Sequence, residues 1–238
     1  MTIALYVAVA LIGYLLGSIP FGMLISKLST KTDITQVGSG KTGMTNVLRT
    51  AGKKAAALAL LLDMAKGALA VIFAELIFGG DFLFKAGADP LMLMQIAQAL
   101  AALAAIAGHS WSIFLKFKGG RGVATFIGGM LAIHWPAAVF GGGIMLIVGF
   151  TTRYMSLGSI SGAVTAFIML IILSLLRLDF LKPYPPIEYV IYSLIGAIFI
   201  TVMHHDNIRR LLAGTERKLG QKVEADNSPS PSNHSKIA

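Results

Sequence analysis

Three short stretches hold the residues whose types and spacing could do chemistry. The first, residues 36–50, reads QVGSGKTGMTNVLRT. Gly38, Ser39, Gly40 and Gly43 let backbone amides curl around an oxyanion, and a helix starting just beyond them would add its partial positive charge. Lys41, Thr45, Asn46 and Arg49 supply donors and cations in the same stretch. The other reading is a flexible polar loop. Gly40-Lys41-Thr42 also matches the end of a nucleotide-binding phosphate loop, but the residue five before Gly40, glycine in G-x-x-x-x-G-K-[ST], is Thr35 here.

The second stretch is Lys116-Phe117-Lys118-Gly119-Gly120-Arg121-Gly122. Cations alternating with pliable glycine backbone suit a phosphate monoester. Charge anchoring at a membrane face would account for the cations but not for Gly-Gly-x-Gly. The third runs from His204 to Leu211, HHDNIRRL. His204 and Asn207 are three apart and share one helix face. A histidine there could orient or deprotonate a hydroxyl, and an asparagine could steady a developing oxyanion. The same residues could equally form a basic cap where a helix leaves the membrane.

Further ionisable residues lie inside apolar segments, where charge is costly. Asp63 and Lys66, spaced i, i+3, are expected to pair, either as part of a site or as a structural ion pair. His109 reads as an active-site wall or as a satisfied hydrogen bond between helices. No cysteine is present, which removes thiol nucleophiles, and no histidine has an aspartate five positions later. There is no H-E-x-x-H zinc pair and no G-x-S-x-G elbow, and the acidic residues are too scattered for a magnesium site. No metal or cofactor is expected.

The elements that must position these residues are membrane helices. The 238 residues are 55% hydrophobic and only 13% charged, against roughly 25% charged in soluble domains. Residues 3–25 contain no charge, enough to cross a hydrocarbon core of ~30 Å, and read as a retained span, not a cleaved signal. Further apolar segments are 55–79, 91–115, 121–135, 137–151, 156–176 and 187–203, with Trp135-Pro136 breaking the 121–151 region into two short helices. The fold class is therefore an all-α polytopic bundle of seven transmembrane helices.

Of the twenty lysines and arginines, Lys85, Arg177 and Lys182 fall on one face and Lys66 within a span. The rest share the other face. That asymmetry puts the N-terminus outside and the C-terminus in the cytoplasm, with every glycine-rich polar segment on the cytoplasmic side. It also accounts for the formal charge of +9, so the bilayer is the expected partner and nucleic acid is not. Residues 1–220 read as one membrane domain; the polar, Ser/Pro-rich tail 221–238 reads as disordered. A transporter of phosphorylated metabolites is the competing function. It would place polar groups near the midplane with access from both sides.

Six motifs resemble one family in order over nearly the whole chain. They are GSIPFG from Gly17, the GSG-x-x-G-x-TNVLRT-x-G loop from Gly38, LLDMAKG from Leu61, GHSWSIFLKFKGGRGVAT from Gly108, TRYMSLGSI from Thr152, and H-x-x-NIRRLLAGTE from His204. They are similar to the bacterial acyl-phosphate:glycerol-3-phosphate acyltransferases, the PlsY family. The resemblance implies a metal-free, plasma-membrane enzyme with a cytoplasmic active site. It would pass the acyl group of an acyl phosphate to glycerol 3-phosphate, giving lysophosphatidic acid and phosphate, and work beside the enzyme that makes acyl phosphate.

By the same resemblance, Ser39 and its neighbouring amides hold the acyl phosphate, with Arg49 as a clamp. Lys118, Gly119, Gly120, Arg121 and Gly122 form the glycerol-phosphate segment. Ser156 is a pocket serine, His204 and Asn207 stand at the reacting centre, and Glu216 braces the C-terminal segment. The chain departs from the family pattern at Lys41 (usually asparagine), Met44 (usually alanine) and Met203 (often arginine).

Overall fold

A computed structural model of the chain describes residues 2–79, 89–179 and 181–221. Lys85, and all of the 221–238 tail except Gln221, lie outside the described residues. The described residues form eight α-helices: α1 Thr2–Ser18, α2 Phe21–Thr30, α3 Met44–Phe78, α4 Pro90–Ser110, α5 Val123–Thr152, α6 Met155–Leu175, α7 Ile187–Met203 and α8 His205–Leu212.

Their ends follow the local sequence. Pro20 cannot donate a backbone bond and disfavours helix at Ile19, so α1 stops and the short α2 starts anew. Asp89 caps α4 by accepting from the Leu91 amide at 3.0 Å, with Pro90 at the first helical position. Gly52, at φ 83°, separates the first two turns of α3 from its long remainder.

Among the described residues, five stretches are long and apolar enough to cross a membrane. They are Thr2–Thr30, Met44–Phe78, Pro90–Leu115, Val123–Thr152 and Met155–Leu175, and the pair α7–α8, bent by 59° at His204, makes a sixth if taken as one. The expected break in 121–151 falls at His134, at φ −150° and ψ 84°, two residues ahead of Pro136. A straight helix as long as α5 would span ~45 Å. Instead both ends of α5 border the same cavities, next to Arg121 and Met155, while Lys182 on the connection before α7 donates to the Ile133 carbonyl at 2.7 Å. The chain therefore doubles back at His134, and the two halves of α5 face each other.

Helices approach closely where side chains are small. A Cβ at Gly17 would collide with the Ala105 carbonyl of α4, and one at Gly128 with the Met64 carbonyl of α3. Small residues at such contacts are how membrane helices gain dispersion contact without a hydrophobic driving force between them. The large apolar side chains point outward instead: Ile3, Val7, Leu11 and Leu15 recur every fourth residue and are all exposed on α1.

Candidate active site

The 37–43 loop is shaped by one buried side chain. The Asn46 amide donates to the carbonyls of Ile34 (3.1 Å), Val37 (2.9 Å) and Lys41 (3.0 Å), and its oxygen accepts from the Ser39 amide at 3.3 Å. Gly38 and Gly40 take φ of 66° and 65°, the left-handed region that a side chain would strain. The loop wraps the asparagine and leaves Ser39, Lys41 and Thr45 at its rim. Arg49 follows on the first two turns of α3.

The C-terminal segment folds back to complete the rim. Arg153 donates to the Leu219 carbonyl at 3.0 Å and accepts from the Leu219 amide at 2.7 Å. That brings in Glu216, which receives hydrogen bonds from Ser156 (2.7 Å), Asn207 (2.6 Å) and Arg210 (2.8 Å). Burial works against its ionisation, but those three donors outweigh it and hold the carboxyl below its usual range.

These residues enclose a cavity of about 270 Å³. Of the expected site residues, Gly38, Ser39, Lys41, Thr45, Arg49, Arg121, Ser156, His204, Asn207 and Glu216 line it. Gly40, Lys118, Gly119, Gly120 and Gly122 do not. Lys118 is exposed to the surroundings, and Gly119 and Gly120 pack on the backbone and ring of His109. The glycine segment thus contributes a single side chain, Arg121, to the cavity.

Asn46, Asp63 and His109 border a second cavity of about 100 Å³, whose other walls include Leu60, Val123, Ile127 and Met145. Ser39, Lys41, Thr45, Arg121, Met155, Ser159 and His204 line both, so the polar chamber opens into an apolar one. Asp63 pairs with Lys66 at 2.8 Å and with His109 at 3.5 Å, all three buried; Lys66 lines neither cavity.

The polar chamber is strongly cationic. Lys41, Arg49, Arg121, Arg210 and Arg217 face Asp206 and Glu216, five positive groups against two carboxylates, a formal surplus of three. The Nε atoms of Arg49 and Arg121 are buried and have no protein partner. Burial, opposed by Glu216 and reinforced by Arg210, lowers the pKa of Arg121. A buried Nε–H without a protein acceptor is suited to an anion.

His204, one residue beyond α7, lies with Nδ1 2.7 Å from the Ile200 carbonyl. A carbonyl oxygen only accepts, so Nδ1 carries the proton and Nε2 is left as an acceptor. Burial and then the charge of Arg121 push this imidazole down to about 4, so it is neutral at ordinary pH.

Sequence reasoning stopped short of Arg210, Arg217, Asp206, Ser159, Met155 and Leu219, which also line the chamber. Arg210 was within reach: it lies three residues beyond Asn207, as Asn207 lies three beyond His204. Arg217 had no comparable signal, because a folded-back segment has no periodicity.

Residues 7–214 match the glycerol-3-phosphate acyltransferase family along their length. The chain belongs to that family. It is 52% identical to glycerol-3-phosphate acyltransferase 3 of Dehalococcoides mccartyi (strain CBDB1), covering 94% of this chain and 100% of the relative. It is 40% identical to the glycerol-3-phosphate acyltransferase of Trichormus variabilis, covering 94% and 96%. Its fold is similar to the crystal structure of PlsY (YgiH), an integral membrane glycerol 3-phosphate acyltransferase, in the glycerol 3-phosphate form. The TM-score is 0.75 at 33% identity, with 90% of this chain and 96% of that one covered. Against the lysophosphatidic acid form the TM-score is 0.73 at 32% identity. The acyltransferase here is accordingly a multi-pass membrane protein.

Proposed function

We propose that this protein transfers the acyl group of an acyl phosphate to glycerol 3-phosphate, giving 1-acyl-glycerol 3-phosphate and inorganic phosphate in phospholipid synthesis. The observation that carries the reading is the junction of the two cavities. A surplus of cations suits the phosphates, an apolar chamber suits the fatty chain, and the residues common to both surround the place where the reacting carbonyl must lie.

An acyl phosphate is already activated, so no enzyme nucleophile is needed. Holding two anionic substrates in line supplies most of the acceleration, ~7–11 kcal/mol for well-oriented reactants. Arg49, Arg121 and Lys41 with the Ser39 loop hold phosphate. His204 Nε2 accepts the hydrogen bond of the glycerol hydroxyl and aims its oxygen at the acyl carbon. The new ester C–O bond forms, the bond from acyl carbon to phosphate oxygen breaks, and phosphate leaves with the electron pair. The hydroxyl proton ends on that phosphate, a stronger base than an imidazole held at about 4.

The finer topology belongs to the same proposal. Residues 1–220 form one catalytic unit with seven crossings, two of them the halves of α5. The doubled-back α5 and the lysine–arginine asymmetry support this, with the N-terminus outside and the site on the cytoplasmic face of a bacterial plasma membrane. The acyl phosphate would come from an enzyme working at the same membrane.

The test is an assay of purified protein with radiolabelled glycerol 3-phosphate and either palmitoyl phosphate, palmitoyl-CoA or no donor. Lysophosphatidic acid formed only with palmitoyl phosphate is the expected result. Product from palmitoyl-CoA alone would overturn the choice of donor, and no product from a folded sample would overturn the reaction.

A further inference from the structure

Arg121 has an anomaly of support. It stands in the cavity wall with no side-chain partner at Nε, on a segment whose neighbours are glycines. A cation held only by pliable backbone would be a poor clamp, since a displacement of ~1 Å at a reacting centre can cost a hundredfold in rate. Something must hold the segment.

That support is His109. Its carbonyl accepts the Gly120 amide at 3.1 Å, and its ring lies directly under Gly120, where any Cβ would strike Nε2. The ring faces Asp63, 3.5 Å from Nδ1, and Asp63 pairs with Lys66 at 2.8 Å. Lys66 then donates to the Ile19 carbonyl at 3.0 Å, at the break between α1 and α2. The line of contacts runs from a proline-broken helix end, through three buried charged or polar side chains on α3 and α4, to the residue before Arg121.

We infer that Asp63 and His109 are positioning residues for Arg121: they seat the Gly119–Gly120 backbone and thereby set where the guanidinium meets phosphate. The inference rests on the proposed acyl transfer. It separates this cluster from an ion pair that merely binds α3 to α4, because a purely structural pair would change how much protein folds without changing how the folded protein holds phosphate.

The experiment is a double-mutant cycle in purified, lipid-reconstituted protein. Wild type, His109→Gln, Arg121→Ala and the pair are compared for kcat, KM for glycerol 3-phosphate, and the Ki of inorganic phosphate as competitor. Thermal unfolding is followed alongside. His109→Gln should raise the phosphate Ki at least about tenfold in the Arg121 background and have almost no further effect once Arg121 is alanine, because contacting or serially linked residues are not additive. Asp63→Asn should act in the same direction, more weakly. Equal effects of His109→Gln in both backgrounds, or a lowered unfolding temperature with an unchanged Ki, would overturn the inference.

If His109→Gln does not fold, Gly120→Ala reads the same quantity from the loop side, by lifting the backbone off the ring. An unchanged Ki there would overturn the inference equally. Wild type that makes no lysophosphatidic acid would refute the acyl-transfer reading instead, and the phosphate competition by itself would then report on positioning through protection of the protein against unfolding.

Discussion

Two groups of charge are buried in this bundle, and they are built on opposite terms. Asp63, Lys66 and His109 are paired by charge deep between α3 and α4, at 2.8 and 3.5 Å from Asp63 Oδ1, with Lys66 also bonded to a main-chain carbonyl. Around the polar chamber, cations outnumber carboxylates and two guanidinium Nε atoms are left without a partner. A paired charge fixes the position of its neighbours. An unpaired one is a standing preference for an anion. The first group should therefore answer to stability measurements as well as to phosphate affinity, and the second to activity with little change in stability.

The sharpest break would come in the paired group. Asp63→Leu leaves Lys66 buried with one partner fewer and is expected to cost roughly 3–5 kcal/mol, with most of it recovered when Lys66→Met is added. Thermal unfolding in one lipid mixture measures both. A double variant no better than the single would mean that Asp63 is not held chiefly as the partner of Lys66.

Next come the unpaired cations. Arg121→Ala and Arg49→Ala should each lower kcat by about 10²–10³ with little change in unfolding temperature, since neither loses an Nε partner within the protein. Unfolding instead of inactivity would erase the difference between the two groups of charge. His204→Ala should fall in the same range.

A milder test concerns pH. An imidazole held at about 4 stays neutral down to acidic conditions, so a falling rate near pH 6 would belong to the substrate phosphate. The same limb should persist in His204→Gln, whatever its overall rate. Its disappearance would make His204 the titrating group.

Glu216 offers a gentler case between the two kinds of charge. Its carboxyl is depressed in the folded protein despite burial, so its stabilising contribution is complete above its unfolded value of ~4.3 and is lost as pH falls through the lower folded value. The difference in unfolding temperature between wild type and Glu216→Gln should be full at pH 7 and shrink below about pH 4. A constant gap across that range would place the role of Glu216 elsewhere than in its charge.

The smallest effect is expected from removing residues 222–238, which should leave kcat and KM unaltered. A loss would bring the tail into the catalytic unit.

The helices were readable because apolar residues are contiguous, and the break in α5 because Pro136 has an unavoidable local effect two residues from where the chain turns. The site was readable wherever chemistry and helical spacing coincide, as at His204 and Asn207. It was not readable where tertiary placement decides. Asn46 has the look of a ligand-binding amide, but its hydrogens are taken up by three carbonyls of its own loop. Lys118 and Arg121 look alike in sequence, yet the left-handed turn at Lys116 and Phe117 leaves one exposed and brings the other to the cavity. Arg217 reaches the chamber because the chain on either side of it is tied down, at Glu216 by Ser156, Asn207 and Arg210 and at Leu219 by Arg153.

The doubling back of α5 also bears on the bilayer itself. From Val123 to Ile133 the first half rises roughly 17 Å, well short of a ~30 Å hydrocarbon core. Lys182 reaches the Ile133 carbonyl at the turn of this hairpin, so a charged group stands at the end of a helix pair shorter than the hydrocarbon core. A mismatch of that size is expected to thin the lipids beside the hairpin or to tilt it. Membrane thickness is set by acyl-chain length, and acyl chains are what the enzyme installs. The composition of the membrane thus bears mechanically on the protein that begins its synthesis, and activity in vesicles of graded chain length would record that feedback.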